Sequence, residues 1–249
     1  MNKYFGDDDL IMNTASRIPV CLCIDTSSSM LQIVDGEVIQ TGKTEFRDGK
    51  TWNIVEGGIT LLDKVNDGIK AFCDAIENNE QAKLSCELAV VTFDDVATCV
   101  HDFASVDAYR GFQITDVGDN TAMSAGINQA IRILEERKRQ YKINGVDYYQ
   151  PWLVLFTDGD SSEDITAIQQ KTMQMSMSKK LSVFTLALTD EVNIETLKGF
   201  SPRRPLKIKE DKIDECFEWL GKSVSAVSMS QVGEKIKLDT SGLDEWADI

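Results

Sequence analysis

The chain has 249 residues, 42% of them hydrophobic and 27% charged, which is an ordinary composition for a soluble globular protein. Its 41 acidic and 26 basic residues give a formal net charge of −15, which argues against nucleic acid and anionic membranes as main partners. No apolar run approaches the roughly 20 residues that cross a bilayer, and residues 1–9 lack the basic-then-apolar pattern of a signal peptide.

Strands and helices alternate along most of the chain. Residues 1–17 are acidic and lack periodicity, so we expect a flexible lead-in before a domain that spans 18–228. We predict strands at Ile18–Ile24, Glu87–Phe93, Val96–Val100, Trp152–Thr157 and Leu181–Leu188, with a short one near Leu206–Ile208. Several are continuous apolar runs, as expected for parallel strands that are covered on both faces. Apolar residues at helical spacing predict helices over Leu62–Ile76, Met123–Leu134, Ile165–Met175 and Ile213–Val227. We expect Asp211 to cap the last of these helices.

The order of these elements predicts an α/β fold. Strands separated by helices favour a Rossmann-like, doubly wound and mostly parallel sheet of six strands. The link between Phe93 and Val96 is too short for a crossover helix. It must therefore be a hairpin, which makes one edge strand antiparallel.

Two segments stand outside this alternation. Residues 31–56 carry Asp-Gly turn signals at Asp35-Gly36 and Asp48-Gly49, with a third turn expected at Thr41-Gly42-Lys43. These turns predict a small β-meander insert. Residues 229–249 form a tail that either packs back on the domain or docks a partner.

The six cysteines occur at spacings that match no zinc signature. They are Cys21, Cys23, Cys73, Cys86, Cys99 and Cys216. Most lie in predicted strands or on apolar helix faces, so we expect reduced thiols in the core of a cytoplasmic protein.

A group of oxygen-bearing side chains follows the first predicted strand. Asp25, Ser27 and Ser29 form a D-x-S-x-S pattern where that strand gives way to a loop. In an open α/β sheet, ligands bind at this edge. Alternating carboxylate and hydroxyl oxygens suit a hard divalent cation such as Mg²⁺.

This spacing resembles the metal-ion-dependent adhesion site (MIDAS) of von Willebrand factor type A (VWA) domains. Two later segments add to the resemblance: Thr121 follows a Gly-containing turn just before a helix, and Asp158 ends the predicted strand Trp152–Thr157. The resemblance implies a metal site of Asp25, Ser27, Ser29, Thr121 and Asp158, filled by Mg²⁺ or Mn²⁺. Ser27 and Ser29 would bind the metal directly and Thr121 directly or through water, while Asp25 and Asp158 would hold coordinating waters.

The same resemblance implies a function. Because the implied direct ligands are neutral hydroxyls, the cation would keep most of its charge and attract a carboxylate from a partner protein. This chain has Asp119-Asn120-Thr121 where the family often has Gly-Gly-Thr. Asp119 and Asp160 at the rim of the site either tighten cation binding, repel an acidic ligand, or are ordinary solvated loop acids. The insert begins two residues after Ser29, and we expect it to contribute to the docking rim.

One subfamily fits more closely. The stretches 135–139 and 144–152, followed by Thr157-Asp158-Gly159, look like bacterial tellurite-resistance proteins of the TerY type. The resemblance implies a cytoplasmic scaffold or signalling protein associated with stress and tellurite resistance. It also implies a PP2C-type phosphatase or a protein kinase as partner.

Enzymatic readings fit the residues less well. A haloacid dehalogenase-type phosphatase would use Asp25 as nucleophile but needs a second aspartate where this chain has Ser27. No dinucleotide-binding or Walker-type glycine pattern is present. His101, the single histidine, follows the predicted edge strand without an obvious nucleophile beside it. We therefore expect a non-enzymatic protein; the alternatives are a Mg²⁺-dependent phosphohydrolase using Asp25 and a metal-free scaffold.

Overall fold

The computed structural model describes residues 10, 13–47, 50–161, 163–234 and 236–248. Its strands are β1 (Ile18–Asp25), β2 (Ile33–Arg47), β3 (Lys50–Thr60), β4 (Cys86–Phe93), β5 (Ala97–Ala104), β6 (Trp152–Thr157), β7 (Ser182–Ala187), β8 (Leu206–Ile208) and β9 (Ala247–Asp248). Its α-helices are α1 (Leu61–Glu77), α2 (Glu80–Ser85), α3 (Met123–Ile143), α4 (Thr166–Met177), α5 (Ile194–Leu197), α6 (Ile213–Ser228) and α7 (Leu243–Trp246).

The described strands form one large sheet and a separate hairpin. The sheet has the order β5-β4-β1-β6-β7-β8-β9, with β1 between β4 and β6 and parallel to both. Strands β7 and β8 continue the parallel part, and β5 is antiparallel at the edge. The predicted six-stranded, mostly parallel sheet with one antiparallel edge strand is confirmed. The two-residue strand β9 adds a second antiparallel edge.

Helices cover both faces of the sheet because its central strands are apolar on both sides. Every residue of β1, β4, β6 and β7 is buried. Helices α1 and α6 share one hydrophobic cluster with the sheet, and α3 shares the other. Phe217 of α6 stacks on Phe156 of β6 at 4.6 Å between ring centroids. Gly68 of α1 lies against that Phe217 ring and leaves no room for a larger residue.

The edge of the sheet and the start of α6 differ from the prediction. Strand β5 extends to Ala104, so His101 lies within the strand. The prediction that His101 follows the strand is wrong. The His101 ring stacks on Tyr109 at 3.9 Å. Asp211 is not the N-cap of α6: it lies in a short 3-10 turn, and Lys212 occupies the cap position without a side-chain hydrogen bond.

The insert is a single long hairpin, so the predicted β-meander is wrong. Strands β2 and β3 pair from Ile33 and Thr60 down to Arg47 and Lys50. The expected turns at Asp35-Gly36 and Thr41-Gly42-Lys43 are places where the pairing shifts register within β2. Glycine tolerates the left-handed backbone of a bulge as well as that of a turn, and Gly36 has a φ of 83°. The expected turn at Asp48-Gly49 lies outside the described residues.

The segments on either side of the predicted domain contact it. Arg17, in the expected lead-in, is buried and forms an ion pair with Glu87, with 3.4 Å between Arg17 Nε and Glu87 Oε1. Residues 1–9, 11 and 12 of that lead-in lie outside the described residues. In the tail, Leu243, Trp246 and Ala247 are buried in the same core cluster as α1 and α6. The tail therefore packs back on the domain.

The cysteines lie mainly in the core, as predicted. All six are free thiols, five are buried, and Cys99 is half-buried. In the part of the chain that the structure describes, no helix combines the length and apolar character needed to span a membrane.

Candidate metal-binding site

The site begins where β1 ends. Asp25 is fully buried, and its Oδ1 accepts a 2.9 Å hydrogen bond from the backbone N–H of Ser27. This bond turns the chain out of the sheet and into a short 3-10 helix, Ser28–Leu31, which the buried Met30 anchors. Aspartate favours such turns because its carboxylate reaches the backbone two residues on. The turn leaves Ser29 exposed at the carboxyl edge of the sheet.

The neighbouring strand β6 brings Asp158 to the same edge. Thr157 Oγ1 donates a 2.7 Å hydrogen bond to Asp25 Oδ2, which ties the two strand ends together. The hydroxyls of Ser27 and Ser29 lie 3.0 Å apart, and Ser27 Oγ lies 3.5 Å from Asp158 Oδ1. Four of the five predicted site residues therefore form one hydrogen-bonded group.

Thr121 lies in the loop that adjoins this group. Gly118 in that loop forms a bridge with Ser27, and its N–H donates a 3.0 Å hydrogen bond to Thr26 O. On the other side, Ser161 Oγ donates to Thr121 O at 3.2 Å. The loop comes this close because Gly118 has no side chain: a Cβ there would lie 2.7 Å from Cβ of Asp94. The structure thus places all three predicted segments at one edge.

The two carboxyl groups of the site are buried, and the pKa of each is raised above that of an ordinary aspartate. Burial raises the pKa of Asp25 to about 6, the charge of Asp158 adds to this, and hydrogen bonds from Thr157 and Ser27 oppose it. Burial also raises the pKa of Asp158, against a hydrogen bond from Ser29. Among the described residues, no lysine or arginine forms an ion pair with either carboxylate.

These residues fit a hard divalent cation. A cation would neutralise the two buried carboxylates and bind the hydroxyl oxygens beside them, which are ligands that suit Mg²⁺ or Mn²⁺. Within the described ranges, no group of three or more His, Cys, Asp or Glu side chains is arranged to hold a metal. A cation here would therefore depend on hydroxyl ligands.

The rim has acidic residues that sequence reasoning only partly identified. Asp95 accepts a 3.2 Å hydrogen bond from the N–H of Asp119 and another from the side chain of Asn120. Asp160 accepts a 3.2 Å bond from the N–H of Asn193. The contribution of Asp95 was missed because it follows β4, far from Asn120 in sequence. The side chains of Asp119 and Asp160 are exposed.

Comparison with known proteins bears on the fold. A scan of family models found no match, and neither did a search of curated protein sequences. Proximal thread matrix protein 1 from the mussel byssus is similar in structure, with a TM-score of 0.53 and 16% identity over 88% of this chain and 48% of that one. A structure of the same protein with a zinc-occupied MIDAS motif aligns with a TM-score of 0.52 and 16% identity, over 87% and 47%.

The pilus adhesin SpaC from Lactobacillus rhamnosus GG has a TM-score of 0.60 and 12% identity, over 85% of this chain and 31% of the adhesin. The chain thus spans about half the length of the byssus protein and about a third of the adhesin. At these identities the likeness shows the fold alone. Together with the observed strand order, it shows that the chain has the VWA fold.

Proposed function

We propose that this chain is a metal-dependent protein-binding module. The observation that carries the proposal is the pair of buried carboxylates, Asp25 and Asp158, beside the hydroxyls of Ser27 and Ser29. Neither carboxylate has a cationic partner among the residues that the structure describes. In this proposal Ser27, Ser29 and Thr121 hold Mg²⁺ or Mn²⁺. Asp25 and Asp158 stand behind them and orient the hydroxyls.

The bound cation would act as a Lewis acid that attracts a carboxylate from a partner. The residues around the site fix the position of its carboxylates. The Ser27 N–H and the Thr157 hydroxyl hold the Asp25 carboxylate in place. The zinc-occupied MIDAS motif of the byssus protein, which shares this fold, supports a divalent cation at this edge.

We propose that the module is not an enzyme. Both oxygens of Asp25 already accept hydrogen bonds and the side chain is fully buried, which is a poor arrangement for nucleophilic attack on a phosphate. The contacts of His101 also give no sign of a catalytic role: its ring stacks on Tyr109, and its Nδ1 lies 2.8 Å from Asp102 O.

The proposed setting is the bacterial cytoplasm, in a TerY-like protein associated with tellurite and related stress. The six free cysteines support a reducing compartment. The proposed partner presents a carboxylate, and a PP2C-type phosphatase or a protein kinase is the candidate from the family resemblance. The β2–β3 hairpin starts two residues after the turn Ser28–Leu31 ends and is proposed as part of the docking rim.

A metal-dependent melting experiment tests the site. Mg²⁺ should raise the melting temperature of the parent chain because a ligand that binds only the native state stabilises it. The double substitution Ser27→Ala with Ser29→Ala should abolish this rise. Ser28→Ala is the matched control, because Ser28 lies in the same turn, is exposed and is outside the proposed ligand set. A double variant that still responds to Mg²⁺ like the parent would refute the metal site.

A second experiment tests the docking role. Partners captured from a native bacterial lysate in Mg²⁺ should be lost in EDTA and with the double variant. Capture that is unchanged in EDTA would support a metal-free scaffold instead. Turnover of a generic phosphate ester that disappears in Asp25→Asn would support the phosphohydrolase alternative.

A further inference from the structure

A cavity opens at the opposite edge of the sheet from the metal site. It has a volume of about 820 Å³ and lies between the starts of β6 and β7, the end of α3 and the tail. Pro151 and Trp152 contribute to it at the start of β6, whereas Asp158 follows the other end of that strand. Its size falls in the range of roughly 300–1,000 Å³ that is typical of small-molecule sites.

The cavity is positively charged in a strongly acidic chain. Its lining includes five cationic and two acidic side chains: Lys138, Lys142, Lys179, Lys180 and Arg203 against Glu135 and Glu234. Lys138 pairs with Glu135 at 2.6 Å. In the described part of the chain, the other four cations form no ion pair. Positive charge has therefore accumulated at one concave surface of a chain whose net charge is −15.

Lys179 occupies an unusual backbone conformation at this cavity. Its φ is 56°, and among the described residues it is the only non-glycine residue with a positive φ. Lys180 N–H donates to Met175 O at 2.9 Å and Lys179 N–H donates to Ser176 O at 3.0 Å, the bonding pattern of a Schellman helix end. Glycine normally takes this position, because a side chain there costs about 1 kcal/mol.

Charge at a helix end explains only part of this arrangement. Lysines near a helix C-terminus complement the helix dipole, which accounts for cations at the ends of α3 and α4. It does not account for a lysine at the strained position, since a neighbouring unstrained residue would supply the same charge. Residues with strained backbone conformations cluster at active sites and ligand-binding sites.

Arg203 adds a group suited to oxyanions. Its guanidinium lies 4.8 Å from the ring centroid of Phe184, and burial lowers its pKa. A planar guanidinium fixed against an aromatic ring retains donors that match the geometry of a phosphate group.

We propose that this cavity binds a small, multiply charged anion that carries phosphate groups. Several unpaired cations around one cavity favour a polyvalent over a monovalent anion. The tail residues Val232 and Ile236 bound the cavity on one side, which favours a compact ligand over an extended acidic peptide. This site is separate from the metal site and does not depend on the proposed function.

Calorimetric titration of the full chain with sodium tripolyphosphate tests the proposal. The titration is done in EDTA without divalent cations, so that the metal site takes no part. Tripolyphosphate should bind with one site per chain, and sulfate at matched ionic strength should bind much more weakly. If neither tripolyphosphate nor pyrophosphate binds, or if only poly-glutamate binds, the proposal is overturned.

Two variants separate a ligand site from a helix-end charge. Lys179→Gly should weaken tripolyphosphate binding about tenfold, a change of about 1.4 kcal/mol, while raising the melting temperature of the free chain because the strain is relieved. Arg203→Gln should weaken binding by a similar factor. Lys222→Ala is the control, since Lys222 pairs with Glu218 on α6, outside the cavity lining. Unchanged binding in both Lys179→Gly and Arg203→Gln would refute the site.

Discussion

The Thr157 hydroxyl and the Asp25 carboxylate are joined by a 2.7 Å hydrogen bond between the ends of two neighbouring parallel strands. Asp25 is fully buried, so the hydrogen bonds from the Thr157 hydroxyl and the Ser27 N–H stand in for those that its charged form would accept from bulk water. The bond therefore affects both the charge of Asp25 and the orientation of the proposed metal site.

Removing that donor should weaken metal binding. Thr157→Val keeps the shape of the side chain but leaves Asp25 Oδ2 without its donor, so we expect about tenfold weaker Mg²⁺ binding at pH 7. We also expect a loss of about 1 kcal/mol in the free energy of unfolding. Thr185→Val in β7 is the matched control, because the buried Thr185 hydroxyl has no partner among the described residues. Calorimetry and urea unfolding measure both effects, and equal effects in the two variants would contradict this role.

The metal-free protein should lose stability as the pH rises through about 4 to 6. The pKa of Asp25 is about 6 in the folded chain against 3.8 for an ordinary aspartate. In this window the folded state holds a proton that the unfolded state has released, so raising the pH favours unfolding. The contribution of Asp25 is on the order of 3 kcal/mol, and Asp158 acts in the same direction.

Urea unfolding in EDTA at pH 5 and pH 7 measures this dependence. Asp25→Asn cannot titrate, so comparison with the parent isolates Asp25 from the other acids. Stability of the parent should fall more than that of the variant between the two pH values. Mg²⁺ should reverse the fall at pH 7, and its affinity should decrease below about pH 6 because protons compete for Asp25. If the stability of the parent changed no more than that of Asp25→Asn between the two pH values, the raised pKa of Asp25 would be contradicted.

The close approach of the Thr121 loop should depend on Gly118. A Cβ at this position would meet Cβ of Asp94 at 2.7 Å, so Gly118→Ala should push the loop away from Ser27. We expect at least tenfold weaker Mg²⁺ binding with a smaller effect on the melting temperature of the metal-free chain. Gly159→Ala is the control, because a Cβ there meets no atom within 4 Å. Mg²⁺ binding equal to that of the parent in Gly118→Ala would remove Thr121 from the proposed site.

The β2–β3 hairpin should be dispensable for metal binding. Leu61 N–H donates to Gln32 O at 2.9 Å, so the two ends of the hairpin already lie side by side. A short Gly/Ser linker in place of residues 33–59 should therefore be able to join Gln32 to Thr60. This replacement keeps Thr60, whose side chain caps α1. Partner capture should weaken while the Mg²⁺-dependent rise in melting temperature stays. Loss of both responses would instead indicate that the hairpin is needed for folding.

The sheet was predictable because its strands are buried on both faces. Runs such as Trp152–Thr157 have no polar alternation, and this pattern fits a covered parallel strand better than an exposed one. The positions of Asp25 and Asp158 followed from it, since the carboxyl ends of neighbouring parallel strands meet at one edge.

Other features depend on contacts that local sequence does not contain. Asp35-Gly36 has the chemistry of a turn, but a bulge within a long strand needs the same backbone conformation, and the pairing of β2 with β3 decides between them. The bond from Thr157 to Asp25 joins residues 132 positions apart. The positive cavity was missed because its cations come from α3, the end of α4 and the loop before β8.

The two residues of β9 have a consequence for how the chain can be divided. They pair with Lys207 and Ile208, and Trp246 O accepts a 3.0 Å hydrogen bond from Lys209 N–H. A fragment that stops at Ser228 would lose these bonds and uncover the edge of β8 together with the apolar surface around Trp219. Such an edge readily pairs with other chains, so the shortened fragment should aggregate, and the autonomous folding unit extends at least to Asp248.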